Sequence, residues 1–128
     1  MNTIITEGIE ISVETQYYAA QSNPAANQYF FVYQITISNK SDFTVQLLNR
    51  HWEITDGYGK TRIVDGEGVV GEKPVIEPNT TYSYNSGCDL ETDTGKMHGY
   101  YTMIRLIDDV PLKAIIPEFV MILPAKLN

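Results

Sequence analysis

Cysteine is almost missing from this chain: Cys88 stands alone among 128 residues. A single thiol excludes an internal disulfide framework and any zinc or iron–sulfur site built from several cysteines of the chain. It fits a reducing compartment. Basic residues are also scarce. Nine Lys and Arg face sixteen Asp and Glu, leaving a net charge of -7, so the chain repels a phosphate backbone and nucleic acid is not an expected partner. Long apolar runs of the roughly 18 residues needed for a spanning helix are absent, and no membrane partner is expected. The opening MNTIITEGIEISVETQ has no basic stretch followed by an apolar core, the pattern of an export signal. The expected location is cytoplasmic.

Helical periodicity is lacking as well. What replaces it is a rhythm of two. In QYFFVYQITISNK, Tyr29, Phe31, Tyr33, Ile35 and Ile37 fall on one face while Gln34, Thr36 and Ser38 fall on the other, the signature of a half-buried strand. GIEISVETQYY repeats it, with Ile9, Ile11 and Val13 inward. FTVQLLNRHWEITD, TRIV, TTYSYNS, HGYYTMIRLID and LKAIIPEFVMIL are further strands, rich in Val, Ile, Thr, Tyr and Phe. Turn residues punctuate them in QSNPAAN, SNKSD, TDGYGK, DGEG, EPNT, LETDTGK and DDVP. The chain therefore reads as all-β, a single domain over 1–128 made of about seven or eight antiparallel strands in an immunoglobulin- or fibronectin type III-like sandwich. A closed barrel is the nearest rival. Pro117 removes a ladder donor and points to an edge or a bulge in the last strand.

VDGEGVVGEKPVIEP carries the spacing G-x-G-x-x-G at Gly66, Gly68 and Gly71. A dinucleotide site needs those glycines between a strand and a helix. Pro74 and Pro78 follow instead and leave no room for a helix, and no Gly-Lys-Ser or Gly-Lys-Thr supports a Walker reading. Two readings remain. In one, Gly66 and Gly68 adopt positive φ in a tight turn and Gly71 allows a close approach. In the other, the loop amides form a nest for an anion such as a phosphate, aided by Arg50. Asp65, Glu67 and Glu72 surround the loop, so a bare phosphate is repelled and a bridging divalent cation is required.

Arg50, His51 and Trp52 form the most unusual triplet. On a strand Arg50 and Trp52 share one face and His51 takes the other. Trp52 and Ile54 belong to the core. Arg50 then sits near the sheet's end, paired with Asp56 or Asp65 or free to bind an anion. His51 and His98 are the only histidines and become metal ligands only if folding brings them together with carboxylates. Cys88 lies in the turn-rich NSGCDLETDTG without a histidine nearby. No serine has a G-x-S-x-G setting, and no acid–base or nucleophile constellation assembles, so no catalysis and no cofactor are expected. Adjacent aromatics in TQYYAAQSNP, NQYFFVY and HGYYTM send one of each pair outward, the raw material of a partner-binding patch.

Taken in order, QSNP, LLNRHWEITDGYG, VDGEGVVGEKPVIEPNTTYSYNSG, GKMHGYY and the ending ILPAKLN resemble the ApaG family, a DUF525-type domain, over almost the whole chain. The most specific element is Arg50-His51-Trp52 with Ile54, Thr55 and Asp56, then the glycine stretch, then Gly95, Met97, Gly99 and Tyr100. The resemblance implies the same sandwich and no established reaction. It implies small free-standing bacterial proteins, encoded near a diadenosine-tetraphosphate hydrolase in some genomes and linked to cobalt tolerance and magnesium efflux. Related domains in eukaryotic F-box proteins and in a polymerase-delta-interacting protein imply protein binding, and the glycine string has invited a pyrophosphate suggestion. The expectation is a non-enzymatic binding module with a protein partner. The alternative is a small-ligand protein for phosphate, nucleotide or divalent metal, connected with cobalt and magnesium homeostasis. Pairing of an open sheet edge in a homodimer is the third arrangement to test.

Overall fold

A computed structural model describes residues 2–124; residue 1 and residues 125–128, the ends of the expected domain span and most of ILPAKLN, lie outside the described residues. Nine strands form: β1 (Asn2–Thr6), β2 (Ile9–Tyr17), β3 (Tyr29–Asn39), β4 (Val45–Asp56), β5 (Thr61–Glu67), β6 (Val75–Ile76), β7 (Thr81–Leu90), β8 (Thr94–Arg105) and β9 (Pro111–Ile122). Two short 3-10 turns, Ala19–Gln21 and Pro24–Ala26, interrupt the β2–β3 connection. Every strand pairing is antiparallel.

Four strands in the order β1-β2-β3-β7 make one sheet; β5-β4-β8-β9 make the other, with β6 added beside β4. The seven strands expected from alternation are all present. Two went unseen in the sequence: β1, which is short and mostly exposed, and the two-residue β6. The core lies between the sheets. From β2 and β3 come Ile9, Ile11, Val13, Phe31, Tyr33, Ile35 and Ile37, all at most 6% exposed. They face Trp52, Ile54, Met97, Tyr101, Met103, Ile116, Phe119 and Met121 of the other sheet. Trp52 is the hub. Its ring packs edge-on to Tyr33 at 5.5 Å, Phe119 at 6.0 Å and Tyr101 at 6.5 Å, a geometry that adds to the burial of three aromatic surfaces.

The edges are finished unevenly. β9 closes one side of its sheet, and its register against β8 shifts between Met97 and Gly99, so Pro117 and Glu118 together face His98. Pro117 thus occupies an edge strand and a bulge at once. Side chains of β1 stand in for a further strand there: Asn2 Nδ2 donates to the Glu118 carbonyl at 2.6 Å, and Ile115 N–H donates to Thr6 Oγ1 at 3.3 Å.

A buried Asn39, 1% exposed, ties one end of the sandwich together. Its Nδ2 donates to the carbonyls of Phe43 and Ile76 at 2.7 and 2.9 Å, and its Oδ1 accepts from the Ser41 amide and hydroxyl. All its polar capacity is used, which is what makes a buried amide tolerable. Cys88 is another departure from expectation. It lies inside β7, 4% exposed and facing the core, because the strand continues through Gly87 to Leu90 instead of breaking into turns. The ring of Phe30 fills the space where Gly87 has no side chain.

Candidate functional site

Arg50 sits in the inward row of β4, level with Gly66 on β5 and Tyr101 on β8. A Cβ on Gly66 would stand 2.7 Å from the guanidinium carbon, so the glycine is there to let the guanidinium lie on the strand. Its Nη1 donates to the carbonyls of Glu67 and Gly68, each at 2.9 Å. Arg50 makes no ion pair among the described residues: Asp65 is taken by His51, and Asp56 accepts instead from the amides of Tyr58 and Lys60.

The glycine stretch closes on itself. The Gly68 amide donates to the Leu48 carbonyl at 2.8 Å, and Val69 and Glu72 exchange bonds at 2.8 and 2.9 Å. Val70 and Gly71 form the tip, at φ 42° and 80°, the positive pair of a type I′ hairpin turn. Gly68 also has positive φ, whereas Gly66 does not, and nothing lies within 4 Å of a Cβ built on Gly71. The division of labour is thus the reverse of the one expected for the outer glycines: Gly66 is the close approach and Gly71 the turn. Strand follows loop, with Val75 and Ile76 pairing to β4, and no helix starts there. Of the loop amides, those of Gly68, Val69 and Glu72 are engaged in the hairpin.

Behind Arg50 the sandwich interior is lined with phenols. Tyr84 and Tyr101, 7% and 0% exposed, share a hydrogen bond between their hydroxyls. Burial pushes both phenols up from their usual range, the Arg50 charge opposing it, and both stay protonated, one donating and the other accepting. Arg62, further along the inward row of β5, reaches β7, where Nη2 donates to the Asp89 carbonyl at 2.6 Å and approaches Cys88 Sγ at 3.5 Å. Burial raises the Cys88 thiol pKa, the opposite of what a nucleophile needs.

On the outward face of the same sheet, His51 and Asp65 stand opposite each other, as do Glu53 and His98. His51 Nδ1 lies 2.6 Å from Asp65 Oδ1 and Nε2 lies 3.5 Å from Glu53 Oε2. Its ring stacks on Tyr100 at 4.7 Å, and Lys113 covers the Tyr100 ring at 4.5 Å. The fold thus brings His51 and His98 to one face with Glu53 between them. Among the described residues, no group of three His, Cys, Asp or Glu is placed to hold a metal ion.

A family model described as the ApaG domain, DUF525, matches residues 19–105. Protein ApaG of Brucella suis biovar 1 is 44% identical over 126 residues, 98% of this chain and 96% of that protein. The chain belongs to the ApaG family. Protein ApaG of Beijerinckia indica subsp. indica is 44% identical over 119 residues, 93% of this chain and 91% of that one. Among solved structures, an ApaA protein from Bordetella pertussis is similar at a TM-score of 0.87 and 38% identity, covering 91% of this chain and 94% of that one.

In this ApaG chain the triplet Arg50-His51-Trp52 splits as strand parity demands, Arg50 and Trp52 inward and His51 outward. Parity could not reveal the partners. Asp65 is 14 positions from His51, and only pairing of β4 with β5 joins them. The hydrogen bond that the His51 ring donates to Asp65 is the main cause raising the His51 pKa above its ordinary value of 6.5, with burial opposing it and Glu53 assisting. A raised folded-state value means that the charged ring favours the folded chain. That contribution is full below pH 6.5 and is lost as pH climbs through the folded value above it. Asp65→Asn should lower the His51 titration midpoint, read from its ring-proton NMR shift, and flatten the fall in urea midpoint between pH 6 and 8; an unmoved midpoint would contradict the pairing.

Proposed function

We propose that this ApaG domain is a non-enzymatic binding module that recognises a protein partner. The observation that carries it is an apolar end. Phe43, Leu106, Ile107 and Val110 are 37%, 42%, 81% and 41% exposed, far more apolar surface than four adjacent loop positions of an acidic chain need show. The end is held firmly. Arg105 stacks over Phe43 at 4.0 Å and pairs with Asp108, and the Leu106 amide donates to the Thr44 carbonyl at 3.0 Å. The β8–β9 hairpin and the β3–β4 loop therefore present one preformed patch, which lowers the ordering cost of binding. Tyr18, 39% exposed and edge-on to Phe30, adds an outward aromatic pair on the other sheet. A reducing cytoplasm suits the unpaired Cys88. The order β3 beside β7 and β8 between β4 and β9 supports reading the sandwich as immunoglobulin-like, a scaffold that displays loops at its ends. Against catalysis, both ring nitrogens of His51 face carboxylates, and among the described residues no hydroxyl or thiol nucleophile is bonded to it.

Capture from native lysate tests this. The chain should retain a stoichiometric partner that Ile107→Asp, unchanged in urea midpoint, loses by about tenfold or more in affinity. Recovery of no such partner, or equal recovery by the variant, overturns it.

A second reading has its own observation. The Arg50 guanidinium, without a carboxylate among the described residues and beside the glycine hairpin, can donate hydrogen bonds to an anion, which supports a phosphate, nucleotide or metal-bridged phosphate connected with cobalt or magnesium homeostasis as its ligand. Titration with pyrophosphate and ATP, with and without magnesium or cobalt, should shift the amides of Gly66 to Gly71; silence there removes this reading.

A further inference from the structure

The four-stranded sheet stops at β7, while the sheet facing it runs past β4 to β5. The inward side of β5 is left without a covering strand. Val64 shows the consequence: it stands opposite Trp52 in the inward row, yet Trp52 is 3% exposed and Val64 36%.

β7 also has an open backbone edge. The bond from the Asn39 amide to the Thr80 carbonyl sets the even-numbered residues of β7 in hydrogen-bonded pairs with β3. Thr81, Ser83, Asn85 and Gly87 therefore aim their N–H and C=O groups away from the sheet. Asp89 follows the same parity, and its outward carbonyl is the one Arg62 takes. Edges are usually blunted by lysine, proline, bulges or covering side chains, and β9 has all of these in Lys113, Pro117, its register shift, Asn2 and Thr6. From Thr81 to Cys88 the sequence TYSYNSGC has no charge and no proline, and its pairing with β3 has no bulge.

We propose that the edge of β7 receives an extended segment of a partner protein as a fifth strand, carrying an apolar side chain two residues before an acidic one. The levels across the gap set that order. Arg62 meets Cys88 and Asp89 and closes one end of the opening. Arg50, over Gly66, is level with Tyr101, whose hydroxyl meets Tyr84. Val64 lies between Arg62 and Gly66 on β5, and interpolation between those two levels sets it opposite the stretch of β7 between Cys88 and Tyr84, which is Ser86. An added strand running antiparallel to β7 passes Ser86 before Tyr84. Its inward side chains therefore meet Val64 first and the Arg50 guanidinium second. An apolar group buries Val64, and a carboxylate supplies the ion pair that Arg50 lacks, using N–H groups that reach solvent, since no buried side-chain polar atom among the described residues is without a partner. Backbone bonds to the outward groups of β7 give affinity and the two inward side chains give selectivity.

This inference rests on the protein-binding reading but uses a different surface, so failure at the edge leaves the Ile107 patch standing, and failure at the patch leaves the edge testable. The test is amide NMR of the whole chain titrated with acetyl-Thr-Thr-Val-Thr-Glu-Thr-Thr-amide. A control, acetyl-Thr-Thr-Val-Glu-Thr-Thr-Thr-amide, puts Val and Glu on opposite faces. The first peptide should saturably shift Thr81, Ser83, Asn85 and Gly87 and slow their hydrogen exchange, and the control should bind at least about tenfold more weakly. Asn85→Pro removes an outward N–H and no bond to β3, so it should keep its urea midpoint and lose the shifts; should it fail to fold, Val64→Lys is expected to lose them from an exposed position. Silence of those amides, equal binding of the control, or sedimentation showing that a second copy occupies the edge would overturn the proposal.

Discussion

The guanidinium of Arg50, laid on Gly66 and bonded to the Glu67 and Gly68 carbonyls, is the contact on which the glycine-rich edge of the molecule depends. Its cause is simple parity. Trp52 must point inward to fill the core, so Arg50, two residues earlier, must point inward as well. A charge on that face is costly unless it is bonded and keeps some access to water. Gly66 supplies the room, two carbonyls supply acceptors, and the rim of the sandwich supplies the solvent. The glycines then serve the arginine and the hairpin, which is why a spacing known from phosphate loops appears with no helix behind it.

A second constraint is the offset between the two sheets. β5 and β6 share one edge of β4, so both sheets are four strands across; β1 and β2 lie against β9, and β5, every residue of which except Gly66 is exposed, is left overhanging at the other side. The opposite side of the sandwich solves the same problem with side chains from β1. On the β5–β7 side Arg62 reaches Asp89 and Cys88, and the Tyr82 hydroxyl donates to Glu72 Oε2 of the hairpin at 3.1 Å. Of the two guanidiniums at this opening, Arg62 already has Asp89 at 3.4 Å and Arg50 has carbonyl partners alone among the described residues, so it is Arg50 that an acidic group would meet, over a range set by a Debye length of about 8 Å.

Much of this was legible in the sequence, and the limit is instructive. Alternation located all seven long strands and assigned Trp52, Arg50 and His51 to their faces, because a period of two is local. Pro117 announced an edge or a bulge for the same reason, and the strand has both. Partners were not legible. His51 finds Asp65, Arg62 finds Asp89 and Asn39 finds Ile76 only through strand pairing and loop closure across 14, 27 and 37 positions. β1 escaped notice since an edge strand with few buried residues has no burial to shape its pattern. Cys88 was placed among turns because Gly87 reads as punctuation, when in fact Phe30 lies across it. The ApaG strings point to the family, but exposure at Ile107 and Val64 and the surroundings of Arg50 are quantities that exist only after folding.

Hydrogen exchange of the loop amides tests the central role of Arg50 most directly. In the native chain Gly68, Val69 and Glu72 should be protected and Val70 and Gly71 should exchange quickly. Arg50→Met leaves two carbonyls without their donor, so it should cost about 1–3 kcal/mol and strip protection from Gly68 to Glu72 while Trp52 and its neighbours stay ordered. Equal protection of those amides in the native chain and the variant, or fast exchange at Gly68 in both, would contradict it.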